Sequence, residues 1–453
     1  MKLIPSPIQI TDETGFSEDL DIFNRAPFGE SLYQLINNTP GEMVIALDAP
    51  WGSGKSTFIR MWIGLLHKKN MQHIYFDAFK NDYKSDPFLA ISSEIYELIE
   101  EQEGSDSERL NQFLEKSKSA CLVMARAGVR MGLRALTAGI IDDTTFEDSG
   151  AEEESSAFAD SFISDRLAKS KSEKKSIEDF KICLNAIAKE GNGEGNGRLV
   201  FIIDELDRCR PNYALEVLEI IKHFYSVDSI TFVLVTNRRQ LEKSIECEYG
   251  YGIEASEYLQ KFVSIWTTLP RTIDDGKSIP GKYIVDCLKR MEFRLGNIEQ
   301  DPIYTDLEEL ASGYQLSFRN LERVLTNFAI VYNSFDGGLS GNDAQVAFYI
   351  SIVKVKFPKV YDKLAKNNIS YMSLKEETRL DVLQPNFYWS RQTEIYSDIE
   401  THQLRAILRF NMFDNIGNQN SFASTHPKFD MRNVKMEKTS IGDICERIDL
   451  FRV

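Results

Sequence analysis

The run Leu47-Asp48-Ala49-Pro50-Trp51-Gly52-Ser53-Gly54-Lys55-Ser56-Thr57 limits the fold of this chain more than any other stretch. Ahead of it, residues 43–47 (MVIAL) form a short apolar run that reads as a buried strand; behind it, residues 57–66 read as an apolar helix. Strand, glycine turn and helix is the context in which backbone N–H groups and a helix dipole gather on a phosphate. Gly52 and Gly54 carry no Cβ, so the chain can pass close to the oxygens. Lys55 is expected to meet the β- and γ-phosphates, and Ser56 to give Mg²⁺ a hydroxyl ligand. Ala49, Pro50, Trp51, Gly52, Ser53, Gly54 and Thr57 complete the expected nucleotide contacts. In the pattern G-x-x-x-x-G-K-[ST] the first glycine falls at Ala49, a place that a small residue fills if its φ is negative.

A phosphate loop becomes a nucleotide site when a second strand delivers an acid to it. Residues 199–203 are five apolar residues followed by Asp204 and Glu205. This is how a fully buried parallel strand reads, its acid emerging at the carboxyl end where α/β sheets bind ligands. Asp204 is expected to hold Mg²⁺ through water, and Glu205 to polarise the attacking water. A third apolar run, 230–235, ends in Thr236-Asn237. Between the two lies 211–225, where Ala214, Val217, Leu218, Ile221 and Phe224 have the spacing of a covering helix.

With Asp204-Glu205-Leu206-Asp207-Arg208-Cys209 and the tryptophan-bearing loop in view, the chain resembles the KAP family of P-loop NTPases, a branch of the STAND ATPases. The similarity runs from Glu18 to Phe328. Residues 18–25 and 28–30 match the segment before the loop, and 76–79 the stretch after the second strand. Residues 258–262 leading to Leu269-Pro270, and 317–323, complete the order. The resemblance implies an α/β fold: a P-loop NTPase parallel sheet of the additional-strand type, with a helical insert, a helical lid and a mainly helical C-terminal region. It implies a regulatory ATPase using ATP and Mg²⁺, prokaryotic, with phage defence or stress as its setting. By the same resemblance Asn237, with Thr236 second, orients the catalytic water, although a polar turn residue after a strand explains either. Arg319 would reach the γ-phosphate as a sensor, or else pair with Glu322 on a helix surface. Arg25 joins the nucleotide contacts. Glu205 stands where an aspartate is commoner, and Asn237 where many relatives have an aspartate. Arg208 and Arg210 are candidates for an arginine finger acting across a subunit interface. An ion pair between Asp207 and a basic neighbour is the preferred reading of that cluster.

Domain boundaries follow the composition. Residues 1–100 and 191–270 are expected to form the NTPase core, 101–190 a helical and flexible insert, 271–335 the lid, and 336–453 a mainly helical C-terminal domain. The insert holds the run 120–141, with Arg126, Arg130 and Arg134 on one helical face. Three arginines, each costing about 2.5–3.5 kcal/mol at a bilayer centre, oppose spanning. A soluble packing helix is expected, and a peripheral-membrane or partner-docking helix is the alternative. The acidic, serine-rich tract 142–165 reads as a loop, and the glycine–asparagine segment 191–197 as a connector. Residues 345–357 read as a helix stopped by Pro358, and 403–413 mixes arginines with leucine and phenylalanine. His402 and His426 have no evident partners.

Several classes are set aside. A net charge of −16 opposes bulk adhesion to nucleic acid, which is not an expected partner. Six scattered cysteines without a C-x-x-C pair fit a reducing cytoplasm. No apolar run approaches the roughly 18–20 residues that cross a bilayer. The guanine-reading pattern N-K-x-D is missing, since Asn237-Arg238-Arg239-Gln240 lacks its acid, so ATP is expected over GTP. The expected partners are ATP and either further copies of the chain or another protein. A non-hydrolysing, nucleotide-switched scaffold or peripheral-membrane module is the alternative function.

Overall fold

The computed structural model describes residues 1–126 apart from 12, 85 and 106; 155–189; 197–270 apart from 226; 278–293; 302–383 apart from 340; 403–412; 436; and 439–450. The described apolar runs form one sheet. Its strands are β1 (Met43–Asp48), β2 (Gln72–Asp77), β3 (Leu199–Asp204), β4 (Ile230–Thr236) and β5 (Ile265–Thr268), in the order β2-β3-β4-β1-β5. Every pairing is parallel. β3 and β4 are buried along their whole length, and accordingly their sequences are continuous apolar runs.

Side-chain alternation splits these strands between two cores. Val200, Ile202, Val233 and Val235 face a cluster with Leu32, Ile36, Phe58 and Trp62. Those come from α1 (Ala26–Asn38) and α2 (Lys55–Lys68). Phe201, Ile203, Phe232 and Leu234 face the opposite cluster. It is built on α3 (Ala78–Asn81), α4 (Pro87–Glu103), α5 (Glu108–Arg126), α6 (Ser155–Lys189) and α7 (Pro211–Phe224). β4 stands between the loop-bearing β1 and the acid-bearing β3, which is the additional strand expected from the sequence. The register sets Asp48 beside Thr236 and Asp77 beside Asp204, gathering the polar strand ends at one edge.

In the insert, α5 and α6 pack on each other and on the core through Phe88, Phe113, Phe180 and Tyr225, whose ring centroids lie 5.4–6.1 Å apart. Residues 155–165, read as part of a loop, open α6, because no glycine or proline interrupts the run from Ser155 into the rest of that helix. Residues 120–126 of the expected arginine-bearing helix end α5. Arg130 and Arg134 lie outside the described residues, as do most of the connector 191–197, His402 and His426.

Beyond β5, and after α8 (Arg238–Tyr249) and α9 (Ala255–Gln260) between β4 and β5, the described chain is helical. It forms α10 (Ile279–Arg290), α11 (Pro302–Gly313), α12 (Phe318–Asn333), α13 (Gly341–Lys356), α14 (Pro358–Ala365) and α15 (Tyr371–Thr378). Helices Gln403–Asn411 and Ile441–Leu450 follow. They share one buried cluster, in which Phe328 of α12 stacks on Phe348 of α13 with centroids 3.5 Å apart. Pro358 ends one helix as expected but also opens the next, since proline costs nothing at a first helical position. Among the described residues no helix is long and apolar enough to cross a membrane.

Candidate nucleotide-binding site

The loop between β1 and α2 depends on glycine at two points. Gly52 and Gly54 have φ of +73° and +82°, a region that costs other L-residues energy. Ala49 has no positive φ, so its methyl group is tolerated where the pattern has glycine. Its N–H donates to the Thr236 carbonyl at 3.2 Å, tying the loop to β4. The Lys55 ammonium donates to the carbonyls of Ala49 (2.5 Å) and Pro50 (3.3 Å) of its own loop. Burial lowers its pKa, while the charges of Asp207, Asp204 and Asp48 oppose that shift.

Asp204 sits at the end of β3, 1% exposed. One carboxylate oxygen accepts the Glu205 N–H (2.8 Å) and the other the Tyr75 hydroxyl (3.1 Å). Burial raises its pKa, and the neighbouring Ser56 hydroxyl, the Glu205 N–H and the Tyr75 hydroxyl oppose that shift. Glu205 follows in a left-handed conformation (φ 60°), and its carboxylate meets the Arg208 guanidinium at 2.8 Å. Burial raises the Glu205 pKa too, with Arg208 pulling it down.

The expected pair between Asp207 and a basic neighbour does not form. Asp207 is buried in the tight turn Leu206–Arg208 and accepts the Trp51 indole N–H from the phosphate loop. The turn sends the flanking arginines elsewhere. Arg208 goes to Glu205, while Arg210 goes to Asp82, with Nε–Oδ1 at 2.7 Å and the backbone N–Oδ2 at 2.9 Å. Asn237 lies at the end of the central strand, immediately before α8, and its side chain makes no capping bond. Asp48 takes the Arg238 N–H at 2.8 Å instead. Thr236 is fully buried, and among the described residues its hydroxyl has no hydrogen-bond partner.

The start of α12 closes on the loop. Phe318 N–H donates to the Gly52 carbonyl at 2.8 Å. A Cβ placed on Gly52 would lie 3.1 Å from Ser317 Oγ and 3.3 Å from the Arg319 Cβ. Arg319 is exposed beside the loop and does not pair with Glu322, whose carboxylate accepts the Tyr283 hydroxyl at 2.5 Å. Arg25 is 3% exposed, with its guanidinium 4.7 Å over the Phe23 ring and one N–H directed at the Ser53 carbonyl (3.4 Å). Burial pulls its pKa down to about 10, with Asp21 opposing.

Beside the loop opens a cavity of about 510 Å³, a size usual for small-ligand sites. Gly52, Gly54, Thr57 and Met61 line it from the core; Phe318 and Arg319 line it from α12. Part of its wall, which the sequence alone does not place, is the N-terminal segment with Ile4, Pro7 and Ile8. The I-P-S-P-I alternation is a signal for extended chain, but not for where that chain lies.

Mg²⁺ suits the donor set. Among the described residues no group of three or more histidines, cysteines or acids is placed to hold a metal. A hydroxyl and one or two carboxylates, completed by phosphate and water, are how proteins usually hold this ion.

A parallel sheet with a strand inserted between loop and acid, and a helical cap resting on the loop, defines a P-loop NTPase of the additional-strand class. The KAP family P-loop domain matches residues 25–335, more than half of the chain, and the chain belongs to that family. No curated protein matches it. Among solved structures it is similar to the Aeropyrum pernix ORC2 protein in ADPNP–ADP complexes. That likeness has 11% identity over 99% of this chain and 95% of the other, with a TM-score of 0.34, too low to carry an argument.

Proposed function

We propose that this protein binds ATP with Mg²⁺ and hydrolyses it as a regulatory NTPase. The observation that carries the reading is the junction of the phosphate loop with the acid-bearing turn after β3, where the Trp51 indole N–H of the loop donates to Asp207, three residues beyond the buried Asp204. Mg²⁺, when bound, neutralises charge on the β- and γ-phosphate oxygens. Ser56 and Asp204 would hold it, and Lys55 would leave its loop carbonyls to pair with the phosphates. Glu205 would polarise the attacking water, and Asn237, with Thr236 behind it, would orient that water. Arg319 and the buried Arg25 would bring positive charge to the nucleotide from the lid and from the N-terminal side. Because α12 bonds directly to Gly52, nucleotide in the loop would shift the lid. That shift would couple ligand state to contacts with further copies or a partner. Membership of the KAP family is the support for a setting in phage defence.

The test is phosphate release by wild type and Glu205→Gln. Loss of a positioned base should lower turnover by about 10²–10⁴-fold while Mg·ATP binding persists. Equal rates would remove Glu205 from the chemistry. A second reading, a nucleotide switch that binds without turnover, is favoured by the Arg208–Glu205 contact, which occupies the candidate base. It predicts Mg·ATP binding and no phosphate release from either protein.

A further inference from the structure

Asp204 has a side-chain donor that the phosphate-loop reading does not use. β2 is the strand next to β3, and the register places Tyr75 opposite Ile202. Ile202 belongs to the core beneath α2, and alternation puts Asp204, two residues on, at the same face. Ser56 stands in the first turn of α2, the helix that covers that face. The Tyr75 ring packs against this core, and its hydroxyl reaches along the strand to Asp204 Oδ2 at 3.1 Å. A hollow lined by Ile10, Arg60, Ile63 and His73 opens beside the ring, so the hydroxyl turns to the carboxylate although open space adjoins it. With the Glu205 N–H on Oδ1 and the Tyr75 hydroxyl on Oδ2, both carboxylate oxygens are held and the plane of the group is set, on the sheet face that α2 covers.

We propose that Tyr75 is a positioning residue of the Mg²⁺ subsite, fixing the Asp204 carboxylate toward Ser56 so that hydroxyl and carboxylate receive the ion together. This rests on the Mg·ATP reading above. Donors behind a metal-binding carboxylate set its direction, and losing one usually costs about 10–100-fold in metal affinity. Packing alone would be served equally well by phenylalanine.

The experiment compares wild type and Tyr75→Phe in binding a non-hydrolysable ATP analogue, across a Mg²⁺ series and in EDTA, with melting of the ligand-free proteins alongside. The expected result is a Mg²⁺ requirement raised about tenfold in the variant. Affinity in EDTA and the melting temperature should stay close to wild type. A variant with unchanged Mg²⁺ dependence overturns the Tyr75 role alone. A variant that loses binding equally in EDTA and in Mg²⁺ also overturns it, because the residue then serves only the fold. Wild type that shows no Mg²⁺-dependent binding overturns the underlying reading, and the Tyr75 role with it.

Discussion

The places of Lys55, Ser56 and Asp204 in the fold are legible in the sequence because each needs only local context: a glycine turn before a helix, or an acid closing an apolar run. Gly52 shows how strict that context is. Alanine there would face a φ of +73° and a Cβ 3.1 Å from Ser317 Oγ. Gly52→Ala should therefore cost about 1–2 kcal/mol of stability, measured by denaturant unfolding, and weaken the closure of α12 on the loop. An unchanged midpoint would show that the loop relaxes without strain. Asp207, Arg208 and Arg210 were not legible in the same way. Their partners are set by the left-handed turn at Glu205, and the nearest charge in sequence proved to be the wrong guide. Tyr75 was hidden for a related reason, since a tyrosine on an edge strand resembles ordinary packing until the register brings it to Asp204.

β1, β3, β4, α2 and α7 follow from period and from glycine or proline stops, which is why they could be read in advance. β5 carries only four residues and no fully buried position, so its apolar signal is too short to stand out. The N-terminal segment is the element with most consequence that sequence alone did not place. It reaches α10 through Lys2 N–H to the Met291 carbonyl (2.7 Å) and Arg290 Nη1 to the Ser6 carbonyl (2.8 Å). Arg290 is itself fixed by Asp286 at 2.8 Å. Removing it with Arg290→Ala should loosen the cavity wall. ATP affinity is expected to fall about three- to tenfold, the worth of one or two hydrogen bonds. Amide exchange around Ser6 should quicken in the same variant. Unchanged affinity with faster exchange would separate the segment from the ligand.

Across the whole molecule, burial sets the direction of the pH response. Glu216 on α7 is pushed up to about 7 by burial and by Asp86, Glu219 and Glu248, with Arg210 opposing. The folded chain therefore keeps a proton that the unfolded chain releases above its ordinary value of 4.5. Stability should fall as pH rises through that window and level off above about 7. Glu216→Gln should flatten the decline without abolishing it, because Asp86, Glu94, Asp204 and Glu205 are raised in the same direction. Melting temperatures from pH 5 to 8 measure it, and an identical slope in both proteins would remove Glu216 as the source. The sheet order unites these scales, since it sets β1 and β3 on either side of β4 and so brings the loop to the acid. Calorimetric titration of Mg·ATP into wild type and Lys55→Ala tests that union most directly. Saturable heat in the wild type that the substitution abolishes is the predicted result. No heat in the wild type, or undiminished heat in the variant, would contradict it.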